Sequence, residues 1–395
     1  MATPDDRPEV LLLVIDAGGG HRAAARALEA AAEETGASFR FRVESLETLL
    51  GSLDFLQKRT GLSFEEGYNL ILRRRWTVAL LPLLRVLHAL IALRRGALVR
   101  EMRGHLAART PAAVLSVTPN FNGVVRDALA AERPGTPFLV LLTDFADFPP
   151  RFWIEPGLTR VLVGTDEAAA QARAIGIPPE RISRTSGMVL HPRFYRAGGA
   201  EARARVRREL GLPDDAFTVT LLFGGKGSPE MEPLAARLLE TGPRWRVVAI
   251  CGDNPALLGK LTVLAGRAGG RLVPVGFTDR VADFLAASDL LVTKPGPGSL
   301  AEAFHQRVPV VVTRNRHTIP QERFNTRFVE EHGLGLVVRH WREIPGAVAG
   351  LARDLGRRAR LEAAIAALPA NRAVYEAVEI VAGEVARARP VAGMV

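Results

Sequence analysis

Three times along this chain a short apolar run breaks into a glycine-rich turn and then enters a helix-forming stretch. Val10–Ile15 leads into Asp16-Ala-Gly-Gly-Gly-His21 and the Ala-rich run Arg22–Glu34. Phe217–Phe223 leads into Gly224-Gly-Lys-Gly-Ser228 and a helix from about Pro229 to Glu240. Asp289–Val292 leads into Thr293-Lys-Pro-Gly-Pro-Gly-Ser299 and a helix entered on Ser299. Glycine lets backbone N–H groups approach a bound anion, and a helix N-terminus offers unpaired donors with partial positive charge. None of the three is a Walker A loop, and none gives G-x-G-x-x-G with an acidic residue at the dinucleotide distance. Strand–glycine loop–helix junctions at both ends of one chain point to two doubly wound units, each with its own switch-point crevice. A plainer reading of the third junction is a capping box, Ser299 with Glu302 three residues later.

The length of 395 residues suits two domains, and 48% apolar with 24% charged residues is ordinary globular composition. The net charge of +10 comes from 48 Arg and only 4 Lys, a ratio that reads as residue usage more than as a nucleic-acid surface. No RNA-type aromatic motif accompanies it, so nucleic acid is not an expected partner. Cys251 is the single cysteine, which rules out an intrachain disulfide framework and a cysteine zinc site and fits a reducing compartment. Asp5-Asp6 stands where a signal peptide would carry a basic region, and the following apolar run is short; a cytoplasmic protein is expected.

Alternating apolar and helical stretches predict strands near 10–15, 38–43, 112–117, 137–142 and 159–163, with helices near 20–34, 68–93, 96–108, 121–132 and 166–175. The second half predicts strands near 217–223, 245–250, 271–275, 289–293, 308–312 and 334–338, separated by helices. Such alternation implies parallel sheets with right-handed crossovers. His191-Pro192 and Gly198-Gly199 make a linker-like passage, so the expected domains are 1–195 and 196–370, with 371–395 a helix returning to the first.

One segment breaks this rhythm. Trp76–Leu93 is mostly Leu, Val, Ile and Ala between Arg73-Arg-Arg75 and Arg94-Arg95. As a helix it would reach about 27 Å, short of a bilayer core. Pro82, Arg85 and His88 interrupt it, which excludes a spanning segment and leaves an amphipathic one. The spacing places Arg85, His88 and Arg95 on one stripe, with Leu80, Leu83, Leu87 and Leu90 opposite. Such a helix either lies in the interface of an anionic membrane or packs its apolar face within the domain.

Together these residues carry a resemblance. Asp16–Arg22, Thr143-Asp144 after the apolar Leu139–Leu142, Val163–Ala174, Gly187–Phe194, Phe223–Met231, Ile250–Gly252, Gly276-Phe277, Lys294–Glu302 and Gln321–Asn325 follow in one order over nearly the whole chain. In that order they resemble the diacylglycerol glycosyltransferases typified by monogalactosyldiacylglycerol synthase, relatives of the N-acetylglucosaminyltransferase of lipid II synthesis. The resemblance implies a GT-B fold, two Rossmann-like doubly wound domains facing a cleft. It implies inverting transfer of a hexose from a UDP-sugar to a lipid hydroxyl, that of diacylglycerol, with no cofactor and no metal. Asp144-Phe-Ala-Asp147 lacks the spacing of a metal-binding DxD motif.

By the same resemblance Glu302 accepts from the ribose hydroxyls, and Gly296, Gly298 and Ser299 face the diphosphate. Gly225, Lys226, Gly227 and Ser228 close over it, and Phe277 lines the uracil pocket. Gln321 and Glu322 bind sugar hydroxyls, while Asn325 orients their loop. His21 is the expected general base or a close aid to the acceptor, since a neutral imidazole at a helix N-terminus can take the acceptor proton. Asp144 is the reserve base. Departing UDP gathers negative charge, which the glycine loops, Gly19 and Gly20 among them, and Lys226 would stabilise. Plainer readings stand beside these: His21 as a loop-packing residue, Lys226 as an exposed charge, Asp144 as a turn residue.

The chain departs from the family's pattern in places. Val117-Thr-Pro-Asn120 replaces a His-Pro after a Val-Ser strand, Lys226 stands where the glycine loop has an acid, and Pro-Gly-Gln-Glu is shortened to Pro320-Gln-Glu322. Gly-Leu-Pro-Val becomes Gly187-Met-Val-Leu190. Galactose and glucose are both open as donor sugars. Two other functions remain: a UDP-sugar epimerase of the same fold, and a non-catalytic lipid-binding protein.

Overall fold

The computed structural model describes residues 6–15, 19–50, 80–196 and 199–388. The chain divides into two compact units: Met1–Pro192 with Ile319–Gln321 and Asn371–Val395, and Arg193–Thr318 with Glu322–Ala370.

In chain order the first unit contains β1 (Glu9–Val14), α1 (Gly20–Glu34), β2 (Arg40–Ser45), α2 (Leu46–Leu49) and α3 (Leu80–Ala107). It continues with β3 (Ala113–Ser116), α4 (Asn122–Glu132), β4 (Phe138–Leu141), β5 (Arg160–Val163), α5 (Asp166–Ala174) and β6 (Ile182–Arg184). The strands form one parallel sheet in the order β2-β1-β3-β4-β5-β6. Helices on the faces of a parallel sheet bury its inner strands, which is why Leu11–Leu13 and Ala113–Ser116 read as continuous buried runs. Each fully buried Leu here stabilises the unit by about 1.5–3 kcal/mol. The order reverses between β1 and β3, the switch point past whose carboxyl strand ends such sheets bind ligands.

Helix α3 runs unbroken where two helices, 68–93 and 96–108, are expected; residues 68–79 lie outside the described residues. Its buried stripe is Leu84, Leu87, Ile91, Leu98, Met102 and Leu106, spaced three, four and seven apart. Two of the polar residues expected opposite the apolar face are used internally. Arg95 continues the buried stripe and binds Asp127 of α4 at 2.7 Å and the Gly123 carbonyl at 3.1 Å. The His88 imidazole shares a 2.7 Å hydrogen bond with Asn120 Oδ1. The face left outside carries Leu83 (43% exposed), Val86 (54%) and Leu93 (78%), beside exposed Arg85 and Arg94. Among the described residues no helix is long and apolar enough to cross a membrane.

The second unit contains α6 (Arg193–Arg196), α7 (Gly199–Glu209), β7 (Thr218–Leu222), α8 (Met231–Thr241), β8 (Arg246–Ile250), α9 (Pro255–Arg267) and β9 (Leu272–Val275). Then follow α10 (Val281–Ala286), β10 (Leu290–Thr293), α11 (Pro297–His305), β11 (Val310–Thr313), α12 (Pro320–Glu331), β12 (Gly335–Val338), α13 (Ile344–Arg353) and α14 (Leu355–Ala366). The sheet order is β12-β11-β10-β7-β8-β9, all parallel, which is the 3-2-1-4-5-6 order of dinucleotide-binding domains. Its switch point lies between β7 and β10. Helix α7 occupies part of the passage expected as a linker. It is held by buried Arg207, whose guanidinium donates to the carbonyls of Ala287 (3.0 Å) and Ala216 (2.6 Å).

Helix α15 (Ala373–Ala388) returns to the first unit. Asn371 Nδ2 donates to the Met188 carbonyl at 2.9 Å, Glu376 accepts from the Ser186 N–H at 2.7 Å, and Glu384 pairs with Arg160 at 2.7 Å.

Candidate functional site

The two switch points carry different chemistry. In the first unit, Asp16, Ala17 and Gly18 lie outside the described residues. Gly19 caps α1 in the left-handed region (φ 79°), which glycine adopts without strain, and Gly20 and His21 are the first residues of the helix. The His21 ring donates to the carbonyl of Val117, the residue that follows β3, so the ends of both switch-point strands meet at this imidazole. Its Nδ1 lies 3.4 Å from Thr143 Oγ1, and its ring packs 5.6 Å from that of Trp153. Burial pushes its pKa down to about 4 despite the Val117 bond, so the imidazole is neutral at physiological pH. The positive end of α1 acts in the same sense.

Asp144, just past β4, accepts from the Trp153 indole N–H through Oδ2 at 3.0 Å. Asp147 serves the loop itself. It is buried, accepts from the N–H groups of Trp153 (2.7 Å) and Arg151 (3.0 Å), and desolvation raises its pKa to about 6. Trp153 thus joins His21 and Asp144, a link that no local motif announces because it closes across a loop.

In the second unit, β7 ends in Gly224–Ser228. This loop is clamped to the one after β8: Gly225 O accepts from the Asp253 N–H at 2.7 Å, and Lys226 O from Asn254 Nδ2 at 3.0 Å. Gly252 has φ 62°, and a Cβ there would lie 2.2 Å from Gly225 O. Gly225 and Lys226 are exposed, whereas the Ser228 hydroxyl is turned to Glu230. Ser228 therefore has a partner close by in its own segment.

Past β10, Gly296 N–H closes a tight turn on Lys294 O at 2.7 Å, and α11 begins at Pro297 with Gly296 as its cap. The capping box on Ser299 does not form. Proline, with φ preset and no N–H to lose, starts the helix two residues earlier, so Ser299 is its third residue and no side chain caps the terminus. Gly298 and Ser299 occupy the first turn, where backbone donors are available to an anion. Asn325 of α12 is buried and donates from Nδ2 to Pro295 O at 2.8 Å, which fixes this turn. Burial pushes Glu302 up to about 7 against the opposing charge of Arg193. It also raises Glu322, against Lys294. A Cβ on Gly296 would stand 3.6 Å from Glu322 Oε1 and 3.7 Å from Lys294 Cε, so the structure brings these three residues together. Gln321 Oε1 is buried without a hydrogen-bond partner. Phe277 follows β9, two strands from β7, with 74% of its surface exposed. Lys294 carried no assigned role in the sequence; its signal was a lysine in a chain that uses arginine almost everywhere else.

No family model matches the chain. Among the curated proteins it resembles are monogalactosyldiacylglycerol synthases. The chloroplastic enzyme of Spinacia oleracea is 28% identical over 363 residues, covering 88% of this chain and 66% of that protein. Monogalactosyldiacylglycerol synthase 1 of Arabidopsis thaliana is 28% identical over 359 residues, covering 87% and 65%. The chain thus spans just under two thirds of the length of these relatives. Among solved structures, MurG of Acinetobacter baumannii superposes with a TM-score of 0.58 at 12% identity, over 95% of this chain and 99% of that one. The calicheamicin glycosyltransferase CalG4 gives 0.59 at 18%, over 97% and 100%. A UDP-N-acetylglucosamine 2-epimerase candidate from Listeria monocytogenes gives 0.59 at 15%, over the full length of both chains. The fold is GT-B, and the sequence resemblance to the galactolipid synthases extends along most of the chain.

Proposed function

We propose that this chain is an inverting glycosyltransferase that moves a hexose from a UDP-sugar to the hydroxyl of diacylglycerol, with galactose the sugar that its named relatives favour. The observation that carries this reading is that each unit has its own switch point and that the two are unlike in chemistry. One centres on an imidazole kept neutral, and the other on a glycine-lined turn leading into a helix that no side chain caps.

The chemistry follows from the residues. The acceptor hydroxyl gives its proton to the unprotonated ring nitrogen of His21 as its oxygen bonds to the anomeric carbon. That attack raises the acidity of the O–H, so a weak base in the right protonation state suffices. The bond from the anomeric carbon to the β-phosphate oxygen breaks with its electron pair going to UDP. Backbone donors of Gly225–Gly227 and of the first turn of α11 take up the charge. Glu302 accepts from the ribose hydroxyls, Gln321 and Glu322 from the sugar, and the exposed Phe277 ring offers a face for uracil. The apolar outer face of α3, with Leu83, Val86 and Leu93 beside Arg85 and Arg94, supports peripheral contact with an anionic membrane, on its cytoplasmic side.

The test is an incubation with UDP-galactose or UDP-glucose and liposomes with or without diacylglycerol, followed by mass spectrometry of lipids and nucleotides. UDP release that requires diacylglycerol, with a hexosyl-diacylglycerol of inverted anomeric configuration, is the expected result. The shared fold of the epimerase supports a second reading. An epimerised UDP-sugar formed without acceptor would establish it, whereas UDP binding and turnover both absent would leave a lipid-binding protein.

A further inference from the structure

Two lysines stand near the glycine loops of the second unit, and their settings differ. Lys226 lies on the exposed crest of its loop, tied down only through its backbone carbonyl. Lys294, also exposed, follows β10 and lies over the switch point, where it differs from Lys226 in what its side chain touches. A Cβ on Gly224, the first residue after Phe223 in the β7 loop, would lie 3.1 Å from Lys294 Cε and 3.3 Å from Nζ. The ammonium therefore rests close against that loop. On its other side Lys294 Cε is next to Gly296, and its charge acts on the Glu322 carboxylate. The ammonium thus has a diphosphate-type glycine loop on one side and the carboxylate assigned to the sugar on the other.

We propose that Lys294, and not Lys226, is the cation that takes up the charge of the departing nucleoside diphosphate. The inference rests on the UDP-sugar reading above and adds a catalytic residue to it. Between sugar and diphosphate lies the bond that breaks. As the acceptor oxygen bonds to the anomeric carbon and its proton passes to His21, the electron pair of the old glycosidic bond moves onto the β-phosphate oxygen. The Lys294 ammonium donates to that oxygen. A compact ammonium suits the space between two glycines, where a planar guanidinium would need more room. The Lys294 charge also reaches Glu322, where it opposes the rise that burial causes.

Titration calorimetry of the full chain with UDP and with uridine tests this, using Lys294→Met, Lys294→Gln and Lys226→Met, and Lys260→Met on α9 as a surface control. Lys294→Met and Lys294→Gln should each weaken UDP by roughly 10- to 100-fold, the range for one charge-assisted hydrogen bond. Uridine affinity and the melting temperature should stay at wild-type values, and kcat should fall by about 10²- to 10³-fold. UDP affinity unchanged in both Lys294 variants, or a larger loss in Lys226→Met, overturns the assignment of Lys294 and leaves the UDP-sugar reading intact. An equal loss of uridine and UDP also overturns it, since that marks a structural role. A wild-type chain that binds no UDP overturns both.

Discussion

The indole N–H of Trp153 donates to Asp144 Oδ2 at 3.0 Å, while the same ring packs against His21 at 5.6 Å. One buried side chain therefore serves both residues that the sequence offers as a base, in unlike ways. It engages a carboxylate oxygen of Asp144 but leaves the His21 nitrogens to Val117 and Thr143. His21 is the base we propose, with Asp144 holding the indole through its carboxylate.

His21→Ala should lower kcat by about 10²- to 10⁴-fold, the usual worth of a positioned base, with UDP affinity unchanged. Asp144→Asn retains an oxygen for the indole and should cost far less. Steady-state kinetics of both variants decide: an equal loss would make Asp144 the proton acceptor.

Donor binding should depend on pH through Glu302. Burial favours its neutral form, with a pKa of about 7, whereas ribose hydroxyls are best accepted by the carboxylate. Affinity for UDP should therefore rise as pH increases through about 7, with uptake of the ligand releasing a proton. Calorimetry in buffers of different ionisation enthalpy reads this directly. Glu302→Gln should flatten the profile, and a profile that persists in that variant would point to another group.

Gly252→Ala should both destabilise the second unit and weaken UDP. Its φ of 62° alone costs a side chain on the order of 1–3 kcal/mol, and the new Cβ would also drive Gly225 O away. Thermal unfolding and UDP titration of one sample check the pair. Full UDP affinity with a lowered melting temperature would separate the clamp from donor binding.

Membrane contact should follow the outer face of α3. Replacing Leu83, Val86 and Leu93 by Ser should reduce sedimentation with anionic vesicles without lowering the melting temperature. Arg95→Ser should do the reverse, since Arg95 is occupied by Asp127 and Gly123; its loss costs stability on the order of 1 kcal/mol. Vesicle binding that ignores the three apolar residues would place the contact elsewhere.

The alternation of strand and helix was legible because inner strands of a parallel sheet are apolar on both faces: Leu11–Leu13 and Val310–Val312 leave no other reading. The glycine loops were legible for an equally local reason, since a turn at a strand end needs residues without Cβ. What failed depended on partners. Periodicity gave α3 two faces but could not say which was buried, because Arg95 and His88 are satisfied by Asp127 and Asn120, residues about thirty positions away. Ser299 and Glu302 matched a capping box in spacing, yet Pro297 had already set the start of the helix. Gly199 looked like part of a linker but is the first residue of α7, a helix held through Arg207 in part by the Ala287 carbonyl, 80 positions on. Trp153 and Lys294 owe their significance to the loops across from them.

Helix α15 bears on the order of assembly. The second unit is supplied almost entirely by consecutive residues, while the first needs Glu376 and Glu384 to meet Ser186 and Arg160. Domains generally form as units, the N-terminal one first as the chain is made. Here the unit that emerges first is completed last, once the ribosome has released the stretch around Glu384. Until then the surfaces of α1 and β3 that α15 covers are open, so a truncation before Ala373 strikes the half of the protein farthest from it in sequence.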